Sequence, residues 1–110
     1  YALAQFNLGG MYYNGEEVPQ DYKEALSWYT KSAEQGDADS QAMVGVFYAD
    51  GLGVVKNSIE GYAWYNIAIA NESEEAKEWI KEIELSPEQL AEAKALSTEI
   101  QKRIEANKKD

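Results

Sequence analysis

No cysteine and no histidine occur in the 110 residues of this chain. Their absence removes disulfides, thiolate nucleophiles, imidazole bases and nearly all zinc sites in one step, leaving carboxylate, hydroxyl and amine chemistry. A disulfide-free domain is equally at home in the cytosol, the periplasm or outside the cell, so the compartment stays open. Long apolar runs are missing as well. Nothing approaches the roughly 20 residues needed to cross a bilayer, and no basic, apolar, small-residue leader is visible. A soluble segment without membrane insertion is expected, and its start at Tyr1 rather than Met suggests a trimmed or processed chain. Positive charge is scarce: 10 Lys and Arg stand against 20 Asp and Glu, a net charge of −10. Phosphate backbones would be repelled over most of such a surface, so nucleic acid is not an expected partner.

With 45% hydrophobic residues, the chain has enough apolar material for one domain with a modest core. Its charge is unevenly placed. Residues 1–71 hold nine acids and three bases (Lys23, Lys31, Lys56), whereas residues 72–110 hold eleven and seven. Glycine and aromatics crowd the first part, and the second reads as Glu/Lys/Ala/Leu helix.

An offset of 36 explains the first part. At that shift Ala2/Ala38, Gln5/Gln41, Gly9/Gly45, Tyr12/Tyr48, Gly15/Gly51, Val18/Val54, Glu24/Glu60, Trp28/Trp64 and Tyr29/Tyr65 are identical pairs, with no gap between them. A period in this range marks a helical array. Within a unit, the first helix is expected over 2–14 and stops at Gly15, a residue suited to a left-handed turn. The second opens near Asp21, where Asp21 with Glu24, and Asn57 with Glu60, have capping-box spacing. The next unit predicts helices over 38–50 and 57–70, and 73–83 fits a third first-helix. Ser86-Pro87-Glu88-Gln89 then supplies an N-cap, a Pro at the first helical position and a Gln at the third, predicting a long final helix over 87–107. Six antiparallel helices and no strands follow.

Gly9 and Gly45 sit inside helices, where each costs about 1 kcal/mol against Ala, so close helix approach must compensate. Trp28 and Tyr29 are expected to lie against Gly9, and Trp64 and Tyr65 against Gly45. Both tryptophans are read as buried core rather than as a ligand cage, because their spacing repeats with the fold.

The residues Ala4-Gln5, Leu8-Gly9, Tyr12, Gly15, Val18, Asp21, Ala25, Trp28-Tyr29, Ala33 and Gly36 resemble the signature of the Sel-one-like repeat family, relatives of tetratricopeptide repeats. The resemblance covers two full units, 1–36 and 37–72. Residues 73–110 resemble a partial third repeat with a C-terminal capping helix. Gly61 in place of the usual Ala and Glu72 in place of the unit-ending Gly depart from the pattern. The resemblance implies an all-α, right-handed α-α superhelix whose first helices line a concave face, and a role as a protein-protein adaptor.

The residues facing that groove can be read from a 100° wheel. With Ala4, Leu8, Gly9 and Tyr12 inward, the opposite side of the first helix carries Leu3, Phe6, Asn7, Gly10, Tyr13 and Asn14. The 36 and 72 shifts add Asp39, Ala42, Met43, Val46, Ala49 and Asp50, then Glu75, Glu78, Trp79 and Glu82. This strip of Phe6, Tyr13, Met43, Val46 and Trp79 has a carboxylate border and no Lys or Arg, which points to docking of a neutral or basic peptide or an amphipathic helix. The alternatives are that the strip packs on another repeat, on the final helix or on a second copy, making the segment a structural piece of a longer array.

Catalysis is the competing class, because some members of the resembled family are described as penicillin-binding or β-lactam-hydrolysing. That chemistry asks for Ser three residues before Lys. The residues at that offset from the seven serines are Thr30, Gln35, Met43, Gly61, Ala76, Gln89 and Ile100. No enzyme, cofactor or metal is therefore expected.

Overall fold

Successive helix caps divide the chain. The computed structural model describes residues 1–108; positions 109 and 110, the end of the expected last unit, lie outside the described residues. The helices are α1 (Ala2–Asn14), α2 (Tyr22–Glu34), α3 (Ala38–Asp50), α4 (Ser58–Ala70), α5 (Glu74–Trp79, followed by a 3-10 turn over Ile80–Glu82) and α6 (Pro87–Lys108). Among the described residues there is no strand.

Each boundary has a local cause. Asp21 accepts from the Glu24 amide at 3.2 Å, and Asn57, 36 residues on, accepts from Glu60 at 3.0 Å. Asp37 and Ser73 cap α3 and α5 in the same way, through the amides of Ser40 and Ala76. At α6 the box is reciprocal: the Gln89 amide donates to Ser86 Oγ at 3.1 Å and the Ser86 amide donates to Gln89 Oε1 at 3.0 Å. Gly15 and Gly51 end α1 and α3 at φ 73. Glu72 adopts φ 73 at the unit-ending turn where Gly36 has φ 99, so the departure from glycine leaves the turn in place at a cost of about 1 kcal/mol.

Consecutive helices pack pairwise into an α-α solenoid: α1 on α2, α2 on α3, α3 on α4, and α4 on α5. The in-helix glycines make these approaches possible, against tyrosine only. A Cβ on Gly9 would stand 2.8 Å from the Tyr29 ring, and one on Gly45 2.5 Å from the Tyr65 ring. Polar groups between packed helices stitch the first unit to the second through Ser32 and Ala33, and tie the second unit's own two helices together through Asn71. Ser40 Oγ donates to Ser32 Oγ at 2.7 Å, Gln41 Nε2 donates to the Ala33 carbonyl at 3.1 Å, and Asn71 Nδ2 donates to Gln41 Oε1 at 2.9 Å.

Three expectations need correction. The third first-helix ends at Trp79 and tightens into the 3-10 turn, short of residue 83. The sixth helix is not antiparallel to its neighbour α4. Glu92 and Leu96 lie by Asn57 and Glu60 at the start of α4, while Glu105 and Ala106 lie by Ile67 and Ala70 near its end, so the two run the same way. This follows from α4 itself, which carries one charge, Glu60, and apolar residues on every side, and so needs a cover beyond α3 and α5. Finally, Trp28 is only half-buried, with the Lys31 ammonium 4.3 Å above its ring, whereas Trp64 is 3% exposed beneath Ile100 and Ile104 of α6. Among the described residues no helix does for Trp28 what α6 does for Trp64.

Candidate functional site

Helical periodicity turns one side of α1, α3 and α5 toward a shared, depressed face. Two adjoining hollows form there. The smaller, of about 250 Å³, is lined by Phe6, Asp39, Ala42, Met43, Glu75 and Trp79. The larger, of about 690 Å³, includes Tyr13, Met43, Val46, Asp50, Trp79 and Glu82. Met43 and Trp79 belong to both, so Phe6, Tyr13, Met43, Val46 and Trp79 of the strip come together on one face with Asp39, Asp50, Glu75 and Glu82 of its border. Asn7 is exposed and lines neither hollow. The final helix does not cover this face: it packs on α4 and reaches α2, where Arg103 Nε meets Glu34 Oε1 at 3.0 Å.

The apolar members are half-buried rather than free, because each roots in the core. Phe6 packs 5.5 Å from Tyr29 between ring centroids, Tyr13 lies 5.7 Å from both Tyr22 and Phe47, and Trp79 lies 6.3 Å from Tyr65. Substituting them thus removes core contacts as well as groove surface.

The carboxylates are a different matter. The four ion pairs among the described residues are Lys77–Glu74, Lys81–Glu78, Lys108–Glu105 and Arg103–Glu34, and none includes Asp39, Asp50, Glu75 or Glu82. Partial loss of solvent, with the nearby Asp37 and Glu75 carboxylates, lifts Asp39, still an exposed residue, above the usual carboxylate range. Burial and the Asp50 and Glu82 carboxylates likewise lift the Tyr65 phenol well above its ordinary value. Tyr29, its counterpart in the first unit, is pushed up to about 12 by burial and by Tyr13, with no carboxylate involved. The groove therefore holds negative charge that the described chain does not balance, and a cation brought by a ligand would relieve it.

Several lining residues were not foreseen: Lys56, Ser58, Tyr65, Ile83 and Glu84. Lys56 places one ammonium at a groove expected to have no base, because the loop after α3 folds back to it. Tyr65 had been placed in the core alone. The signal that could have found it is the 36-residue shift, which sets Asp50 and Glu82 where the surroundings of Tyr29 have Asn14 and Val46. A second hollow unseen in the sequence lies between α4 and α6, where Gln101 Oε1 is buried without a hydrogen-bond partner. Among the described residues no group of three or more Asp or Glu is arranged to hold a metal ion, and no helix is long and apolar enough to cross a membrane.

Comparison with known proteins places relatives around this architecture. The family described as Sel1 repeat matches residues 2–37 and again 38–73. Chitin synthase regulatory factor 3 of Schizosaccharomyces pombe is 34% identical over 91 residues, which is 81% of this chain and 10% of that protein. The crystal structure of c5321, a protective antigen of uropathogenic Escherichia coli displaying an SLR fold, superposes with a TM-score of 0.89 at 33% identity, over 94% of this chain and 23% of its own. A Sel1 repeat protein from Oxalobacter formigenes gives 0.72 at 36% identity, over 74% and 61%. This chain thus spans a tenth of the curated relative and under a quarter of the antigen.

Proposed function

This chain belongs to the Sel1 repeat family, and on that premise we propose that it is a non-catalytic docking scaffold whose α1–α3–α5 face takes a neutral or basic peptide, or an amphipathic helix, from a protein partner. In this reading 1–36 and 37–72 are two full units of one solenoid, and 73–110 is a partial third unit with its capping helix. The observation that carries it is the groove itself: apolar side chains from three helices meet there beside Asp39, Asp50, Glu75 and Glu82, none of which forms an ion pair with the described residues. Apolar anchors give affinity, and the −10 net charge draws a cationic ligand in. Family membership supports a protein partner, and the name of the fission yeast relative, a regulatory factor, suits a protein that acts through another. The absence of Ser-x-x-Lys in the chain speaks against the hydrolase alternative.

The test is selection of random dodecapeptides on the intact chain. Bound peptides should be enriched in Lys, Arg and large apolar residues, and their capture should weaken as salt shortens the screening length toward about 8 Å at 0.15 M. Asp39→Lys with Glu75→Lys should abolish capture without lowering the melting temperature, since both side chains are exposed and unpaired. Tyr13→Ala is the poorer probe, because Tyr13 also packs on Phe47. Equal capture by the charge-reversed variant would overturn the reading.

A further inference from the structure

The larger hollow contains a feature that a general docking surface does not require. Tyr65 is 4% exposed, its ring is pressed onto Gly45, and it nonetheless lines the hollow. Its hydroxyl makes no hydrogen bond to the described residues and is not a sealed atom, so the small part of Tyr65 left accessible, at the hollow, is free to accept from a ligand. Asp50 at the end of α3 and Glu82 in the turn after α5 are the carboxylates that the phenol feels most. Glu84 adds a third carboxylate to the lining, and Lys56 is the one base there, paired with none of them within ion-pair distance. The Trp79 indole, tilted 52° to the Tyr65 ring, forms an aromatic wall of the same space.

We infer that this hollow is a receptor for a single arginine side chain of the partner, with the guanidinium against Trp79, bridging Asp50 and Glu82, and the Tyr65 hydroxyl accepting at the floor. The inference deepens the docking reading above and rests on it. Arginine fits better than lysine for three reasons. A planar guanidinium stacks on an indole, it presents donors in more than one direction toward carboxylates carried by different elements, and it gives up its hydration more readily than an ammonium. The phenol oxygen adds an acceptor where the cation's remaining N–H groups would otherwise be unsatisfied.

The first unit supplies the internal control. Tyr29 packs on Gly9 as Tyr65 packs on Gly45, but Asn14, Val46 and Met43 stand where the second unit has Asp50, Glu82 and Trp79. Tyr29 lines neither hollow of the groove face. The receptor thus arises from three side-chain changes together with the 3-10 turn that carries Glu82, and among the described residues the first unit has no equivalent.

The experiment uses the intact chain and two blocked tripeptides, leucyl-arginyl-leucine and its citrulline counterpart, which keeps shape and removes charge. Binding is read from the Trp79 indole N–H resonance and from the methyl resonances of Met43 and Val46. The arginine peptide should bind at least about fivefold tighter than the citrulline peptide, the order expected where charge-assisted hydrogen bonds replace neutral ones. Asp50→Asn with Glu82→Gln should bring that ratio to about one, because the charge that distinguishes the peptides is gone. Tyr65→Phe, which keeps the ring on Gly45, should lower the ratio, and Lys56→Gln should raise it. Equal binding of the two peptides, or a preference that survives in the doubly neutralised variant, overturns the receptor. If the preference is absent while both peptides still shift Met43 and Val46, the receptor falls and the docking reading stands. If neither peptide shifts any resonance of α1, α3 or α5, both fall.

Discussion

Trp28 and Trp64 hold the same place in consecutive units that share nine identities at a 36-residue shift, yet one is half-buried beside a lysine and the other is sealed under α6. The same contrast runs through the first helices. Val44 and Gln41 are fully buried between units, whereas their counterparts Leu8 and Gln5 are only partly so, since among the described residues α1 has α2 as its main packing helix. A repeat thus specifies its own hairpin, and its neighbours specify how much of it leaves water. Energetic weight should follow burial rather than sequence identity, a difference that mutation can magnify or erase.

The largest separation is expected at the tryptophans. Trp64→Ala should cost about 3–5 kcal/mol, enough to unfold a domain of ordinary stability, because it empties the space between α3, α4 and α6. Trp28→Ala should cost roughly 1–2 kcal/mol, since much of that ring is already in contact with water. Urea titration of the two variants reads the difference directly, and equal losses would mean that the units are energetically equivalent. Next come the in-helix glycines. Gly45→Ala drives a Cβ to 2.5 Å from the Tyr65 ring and 3.2 Å from the Gly61 carbonyl, inside a helix clamped on both sides. It should lower stability by about 1–3 kcal/mol even after the helix-propensity gain. Gly9→Ala, tested in this chain, should lose less, because among the described residues α1 packs mainly on α2 and can shift away from Tyr29.

The smallest effect is electrostatic. Partial loss of solvent and the Asp37 and Glu75 carboxylates raise Asp39 above its ordinary range, so the folded state favours its protonated form. Its favourable contribution is present below the unfolded pKa and is lost as pH rises through the raised folded value. Asp39→Asn should therefore raise the melting temperature slightly at pH 7, with the gain disappearing in acid. Leu3, the counterpart in the first unit, carries no charge, and Leu3→Asn should show no such pH dependence.

Local chemistry was legible in the sequence. The bounds of α1 and α3, the caps at Asp21, Asn57 and Ser86, and the glycine stops follow from neighbouring residues, and so do the wheel positions that meet in the groove. What depends on distant partners was not. Nothing near Pro87 says that α6 lies along α4 in the same direction; only the all-round apolarity of α4, thirty residues earlier, hints that a cover is needed. Tyr65 reads as core because its ring is core, while its hydroxyl acquires meaning from Glu82, seventeen residues away, and from the fold of α5. Lys56 reaches the groove through a loop whose path no periodicity encodes.

That loop has a mechanical consequence. A Cβ on Gly53 would lie 2.7 Å from the Tyr22 carbonyl carbon and 2.8 Å from the Lys23 nitrogen, so the second unit's loop rests backbone to backbone on the first unit's second helix. Main chain against main chain leaves nothing to compress. At this joint, pressing the loop further inward would meet immediate resistance, while opening it would stretch side-chain contacts first. The curvature of the array is bounded on one side by a single residue without a side chain, and any bulkier residue there would act as a wedge that resets the angle for every unit beyond it.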